Sequence, residues 1–220
     1  MSPPHFRQLP RKALEDAYFK DMELREKSGR KRPEVSPLSG SELKWDPKHW
    51  NEPDYILENH NCYSYATGTW SKKRKGKAQP GYSSGDMGVP DEGYQCLNFL
   101  NRLRRDNPSL ILSNFDAQCP KGFHKAFMAL SNEGSGIDYH FYRQDNNKLW
   151  SHKPGRTEAT NLDASGKLIK DPLYANRKYA TLNYKVPCFY FCVAPGLSQT
   201  SSVTLPNKVY RSKQKQNKQK

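Results

Sequence analysis

The apolar positions of the chain follow two rhythms, one after the other. Leu14, Tyr18 and Met22 recur at i, i+4, i+8 on an otherwise charged segment, with Pro10 suited to a first turn and Gly29 to an end. This predicts a helix over residues 10–27. Residues 28–41 are polar, with Pro and Gly, and read as a linker. A short helix is expected from Asn61 to Trp70. A longer one is expected from Gln95 to Asp106, with Cys96, Phe99, Leu100 and Leu103 on one face and Asn107-Pro108 ending it. Beyond residue 120 the helical period disappears. His124–Ser131, Tyr139–Gln144, Lys148–His152 and Cys188–Val193 are short, aromatic or apolar, and predict strands. Helices followed by an antiparallel sheet describe an α+β domain. The division expected is an N-terminal helix and linker arm (1–44), a core domain (45–195) and a basic tail without packed structure (196–220).

Composition sharpens this picture. Only 35% of the 220 residues are hydrophobic and the mean hydropathy is −0.99. The core must therefore be aromatic, drawn from 9 Phe, 4 Trp and 13 Tyr. The net charge of +14 is unevenly placed: residues 1–44 carry +3, residues 71–77 carry +5, residues 196–220 carry +6, and the remainder cancels. The two basic segments offer sequence-independent attraction to nucleic acid or to an acidic protein. No apolar run is long enough for a membrane span, and the start has no apolar leader region. The expected location is intracellular or inside a virion, not Sec-secreted. An odd count of five cysteines at irregular spacing argues against a disulfide framework and for a reducing compartment. Cys188 and Cys192 would share one strand face about 13 Å apart, too far to bond each other. Cysteine pairs of zinc-finger spacing, a Walker loop and a dinucleotide fingerprint are lacking, so neither metal nor cofactor is expected.

Candidate chemistry centres on three residues. Asn59 or Asn61 is placed to cap a helix that begins near Cys62. The first turn would hold that thiol among orphan amides and the positive end of the helix dipole, where a thiolate is stabilised. His140 and His152 flank Asp145-Asn146-Asn147. A three-residue turn there pairs Gln144 with Lys148, Tyr142 with Trp150, and His140 with His152. The two imidazoles would then be direct cross-strand neighbours, Cβ atoms about 5 Å apart. A nucleophile on a helix, with base and orienter on adjacent strands, is a triad order.

The segments Asn61-Cys62-Tyr63-Ser64-Tyr65-Ala66, Asp138-Tyr139-His140-Phe141-Tyr142 and Trp150-Ser151-His152 carry a family resemblance. Over residues 55–193 the chain resembles the papain-like superfamily in its minimal form, the NlpC-type and CHAP-type cysteine peptidases and amidases. It is similar in particular to such domains of large DNA viruses and bacteria. The resemblance implies a papain-like α+β fold, with the cysteine helix packed on an antiparallel sheet. It implies a thiol hydrolase of peptide or amide bonds, with Cys62 as nucleophile, His140 as general base and acid, and His152 as orienter. Asn59 or Tyr55 would assist the oxyanion, and Gln79 would rim the cleft. The interval from Cys62 to His140 is longer than a minimal domain needs. Two alternatives belong to other classes. One is a non-catalytic structural or interaction protein on the same scaffold, such as an internal virion component. The other is a nucleic-acid-binding module.

Overall fold

The computed structural model describes residues 33–72, 76–86, 93–132 and 136–196. The chain divides into two units, Met1–Glu34 and Val35–Lys220, and the fold below is that of the second. The helix expected over 10–27 and the basic tail beyond Gly196 lie outside the described residues.

Two short helices come first, α1 (Pro47–Asn51) and α2 (Asp54–Asn59). Asp46 caps α1 by accepting from the His49 N–H at 3.2 Å, and Pro47 occupies its first position. Helix α3 (Cys62–Ala66) follows. It is shorter than the Asn61–Trp70 expected because Gly68, at φ 66°, turns the chain out of the helix. A Cβ on Gly68 would lie 2.6 Å from Leu43 Cδ1, so a side chain there would have to displace Leu43 as well as take the left-handed φ. Helix α4 (Cys96–Asp106) matches its expected span within one residue and buries Phe99, Leu100 and Leu103.

The five strands are β1 (Ile111–Ser113), β2 (His124–Ser131), β3 (Asp138–Gln144), β4 (Trp150–Ser151) and β5 (Val186–Val193). They form one antiparallel sheet of order β1-β5-β2-β3-β4. Every residue of β2 is buried, as expected of a central strand covered on both faces. On one face lie the helices: Tyr63 packs on Phe141 and Phe99 on Tyr139. On the other, Phe127, Tyr142, Trp150 and Tyr190 form an aromatic core closed by Phe115, Ile169 and Tyr184 from loops.

The β3–β4 hairpin differs from expectation by two residues of register. Gln144 pairs with Trp150, not Lys148. Asp145 and Leu149 close the loop, and Lys148 takes the left-handed position at φ 72°. A three-residue hairpin loop ends in such a residue, so the loop is Asn146-Asn147-Lys148. The strand starts two residues later than expected as a result.

A bulge decides the cysteines. The β2–β5 register shifts between Met128 and Ala129, whose partners are Phe189 and Pro187, so Cys188 has no strand partner. It bonds to Cys96 on α4, whereas Cys192 bonds to Cys119 in the loop after β1. The expectations of unpaired cysteines, and of Cys188 and Cys192 on one face, are corrected here. The extra residue of a bulge breaks the alternation of side chains along the strand.

Residues 36–44, assigned to the arm by their polarity, are woven into the core. Leu43 bridges Asp145, and the Gln144 side chain donates to the Ser36 carbonyl at 2.7 Å. Buried charges are fully engaged there. The Arg143 guanidinium meets Asp145 at 2.8 Å, donates to the Tyr65 carbonyl and lies 3.9 Å above the Tyr65 ring. Lys125 Nζ donates to Ser36 Oγ at 2.6 Å and to the Phe115 carbonyl at 2.9 Å.

Lys153 is the sharpest case. Its buried ammonium lies 2.8–3.1 Å from the carbonyls of Leu57, His60, Gly155 and Thr157, which share its three N–H donors. It ties the end of α2 to the loop after β4. Lys153→Met keeps the length and removes the donor, leaving four carbonyls without it. The expected loss is about 3–5 kcal/mol, read by urea unfolding. A loss within about 0.5 kcal/mol would mean that water replaces the ammonium.

Candidate functional site

The order of residues around Cys62 follows from capping. Asn61 accepts from the Ser64 N–H, and Ser64 Oγ accepts from the Asn61 N–H at 3.0 Å, a reciprocal box. This starts α3 at Cys62, as the sequence predicts, with Asn61 and not Asn59 as the cap. Asn61 also reaches across to donate to the Ala78 carbonyl at 2.7 Å. The segment beginning at Gly76 is thereby held near the thiol.

Cys62 is the free cysteine among the described residues, and it is buried. Its Sγ is 3.9 Å from the Tyr139 carbonyl, to which the thiol donates. Burial pushes its pKa up to about 12, and the neighbouring Asp138 adds to the rise. Hydrogen bonding from backbone amides opposes this without overcoming it. The helix start is real, but a helix of five residues in a dry setting does not yield a thiolate at neutral pH. Iodoacetamide at pH 7.5 is therefore expected to leave the folded protein unlabelled. Denaturant without reductant should reveal one thiol. Rapid labelling of Cys62 in the folded state, read by mass spectrometry, would contradict this assignment.

His140 and His152 do meet. His140 Nε2 is 2.7 Å from His152 Nδ1, with the rings perpendicular. The register slip of two residues makes them diagonal instead of directly opposed. A slip of two preserves the face, so the pair survives it. The partners fix the tautomers. His152 Nε2 faces the Leu162 carbonyl at 3.0 Å and must carry a proton. Neutral His152 then accepts at Nδ1, and His140 donates from Nε2. Burial holds His152 down at about pKa 4 and His140 well below its ordinary value, the neighbouring ring adding to the latter. Tyr184 stacks on His140 at 4.9 Å and donates to Asp138 at 2.9 Å. Tyr142 lies against both imidazoles.

The remaining candidates have structural duties. Asn59 donates to the Tyr55 carbonyl at 3.0 Å and accepts from the Gly76 N–H at 2.9 Å, joining α2 to the basic loop. Tyr55 is exposed on α2. Gln79 accepts from Tyr139 Oη at 2.5 Å, so it packs beside the strand that covers Cys62. Asp138, Tyr184 and Lys153, which complete the surroundings, carry no motif that spacing alone could reveal. Among the described residues there is no group of three His, Cys, Asp or Glu placed to hold a metal, and no helix long and apolar enough to cross a membrane.

No family model matches the chain. No solved structure matches it either. A curated relative does: insoluble matrix shell protein 1 of Ruditapes philippinarum is 39% identical over 134 residues, which span 61% of this chain and 81% of the relative. This finding overturns the expectation of a thiol hydrolase, since the relative is named as a matrix protein. It also overturns the intracellular or virion location, because a shell matrix is neither. The two disulfides agree with that correction, as such bonds persist in oxidising compartments. An odd cysteine count says only that one thiol is left over, and that thiol is Cys62. At this identity and coverage the chain belongs to the family of insoluble matrix shell protein 1.

Proposed function

We propose that the protein is a structural, non-catalytic component of an extracellular insoluble matrix. The observation that carries this reading is the family membership, through a relative named for such a matrix. Its architecture gives further support. Two disulfides fasten β5 to α4 on one side and to the loop after β1 on the other. Buried ammonium and guanidinium groups fasten the loops. Such cross-links suit a protein that must persist outside the cell.

Within the same proposal, the scaffold is of the papain-like, NlpC-type kind. A cysteine opens a helix that lies on the sheet, one histidine sits on β3 and the other directly follows β4. The triad positions would then be retained as packing: a protonated thiol and two neutral imidazoles joined by one hydrogen bond. Cys62→Ala is expected to leave the assembly of the matrix unchanged.

The test is fractionation of the source tissue with an antibody against residues 45–195. The protein is expected in the extracellular material that resists neutral buffer and detergent. Recovery in the soluble cytosolic fraction would overturn the reading.

A further inference from the structure

We propose that Tyr174 is a cross-linking site, at which one-electron oxidation couples its phenol to a tyrosine phenol of another chain as dityrosine. The proposal rests on the matrix reading above and names the covalent bond by which such a matrix holds this protein.

Sulfur is not available for that bond. Four of the 5 cysteines form the two disulfides within the chain, and Cys62 is buried. Tyrosine is another side chain that oxidation joins in pairs, and the chain has 13. Tyr18 and Tyr210 lie outside the described residues. Burial sorts the rest. Tyr63, Tyr65, Tyr139, Tyr184 and Tyr190 are buried, and their hydroxyls bond to Asp106, Ser151, Gln79, Asp138 and Asp171 in turn. Tyr82 and Tyr142 are buried as well, and Tyr94 and Tyr179 are half-buried. A second chain does not reach a ring inside the core. Tyr174 is 67% exposed, more than any other large apolar or aromatic side chain among the described residues, and Tyr55 follows among the tyrosines at 38%.

The exposure of Tyr174 is built into the fold. Residues 172–174 form a turn that Asp171 closes. The Asp171 carbonyl accepts from the Tyr174 and Ala175 N–H groups at 3.2 and 3.1 Å, and its carboxylate accepts from the Leu173 N–H at 3.0 Å. Arg177 donates to the Leu173 carbonyl at 2.6 Å, and Asp163 accepts from the Asn176 N–H at 2.9 Å. Leu173 and Ala175 pack on the aromatic core, so the ring between them is directed outward. A turn fixed on both sides presents this ring to a second chain with no rearrangement of the core.

The oxidant is hydrogen peroxide, acting through a haem peroxidase. Each phenol gives up one electron and its hydroxyl proton. The two phenoxyl radicals join through one carbon–carbon bond, at ring carbons ortho to the oxygens. The two ring C–H protons then leave and the oxygens regain theirs. The pair has lost two electrons and two protons, which reduce one peroxide to two waters.

The test treats the full, disulfide-bonded chain with a haem peroxidase and hydrogen peroxide. Dityrosine is read by fluorescence, and the coupled peptides are mapped by mass spectrometry. Tyr174 is expected in most of the coupled peptides, Tyr55 in fewer, and the five buried, hydroxyl-bonded tyrosines in none. Tyr174→Phe should lose most of the dityrosine and still melt as the wild type does, because the hydroxyl it removes is at the surface. Insoluble extracellular material from the source tissue, digested in the same way, should yield Tyr174 in coupled peptides. Coupling by Tyr174→Phe at the wild-type level would overturn the proposal, as would coupling confined to Tyr18 and Tyr210. Tyr174 recovered uncoupled from the insoluble material would overturn it too, while the matrix reading stands. Recovery of the protein from the cytosolic fraction would overturn the matrix reading, and this proposal with it.

Discussion

Reduction of the two disulfides is expected to cost this protein most of its stability. Cys96–Cys188 and Cys119–Cys192 close chain segments of 92 and 73 residues. On a chain-entropy estimate either bond alone removes about 4.5 kcal/mol of freedom from the unfolded state. The segments share residues 119–188, so the joint effect falls short of twice that figure. Against a typical domain stability of about 5–15 kcal/mol, the loss is decisive. The physical context adds to it. Cys188 stands at the bulge, where β5 gives up a ladder partner, and its bond to α4 holds the helix layer there. Cys119 anchors a loop whose carbonyls at Phe115 and Ala117 receive the buried Lys125 ammonium. Thermal unfolding with and without dithiothreitol is the measurement. Double serine variants of each pair separate the contributions, and Cys62→Ala is the control for loss of one buried sulfur without a disulfide, expected to lower the midpoint far less than either pair. A midpoint that moves by less than about 2 °C on full reduction would show that packing alone holds the sheet.

These bonds were also the feature hardest to read from the chain, for physical reasons. The strands β2 and β3 announce themselves because a buried strand is a dense apolar or aromatic run. Helix α4 does so because its buried face repeats at 3.6 residues. A disulfide leaves no local trace. Its partners are chosen by the pairing of distant strands, and here by a one-residue bulge between Met128 and Ala129. Strict alternation along β5 sends Cys188 and Cys192 the same way. The histidine pair was legible for the opposite reason. A hairpin is local, and an error of two residues in its register keeps the same faces. Lys148 was the cause of that error, because a lysine gives no warning that it will occupy a left-handed turn position. Segment 36–44 was missed because it enters the core through backbone and polar contacts, and not through apolar side chains. Even the histidine pair, once formed, did not fix the function. Identical residue types serve as packing when the thiol is dry, and family membership separated the two readings.

Acid is expected to unfold the protein well above the ordinary carboxylate range, and histidine is the reason. His124, His140 and His152 are buried and their pKa values are held down, with His124 and His152 at about 4. Burial is the largest cause for each. In the unfolded chain an imidazole takes a proton near pH 6.5, whereas in the folded protein His124 and His152 do not until about pH 4 and His140 is likewise held neutral below its ordinary range. The unfolded state therefore binds more protons throughout that window, and stability falls as the pH falls through it. A shift of this size is worth about 3 kcal/mol for His124 and a similar amount for His152. Geometry supports the sign. His124 Nε2 is 2.6 Å from the Ala66 carbonyl and holds the end of α3, while its Nδ1 has no partner, so a second proton there would be a buried donor without an acceptor. Protonating His152 at Nδ1 would set its new N–H against that of His140 Nε2 across 2.7 Å. Asp106, Asp138 and Asp145, all raised chiefly by burial, act in the opposite sense. They bind protons more readily folded than unfolded, so they return some stability at the acid end of the window. Urea midpoints between pH 7.5 and 4 should fall steadily below pH 6.5, and His124→Gln, which can still donate to Ala66, should flatten the decline. A midpoint independent of pH across that range would mean that the three imidazoles are solvated in the folded protein.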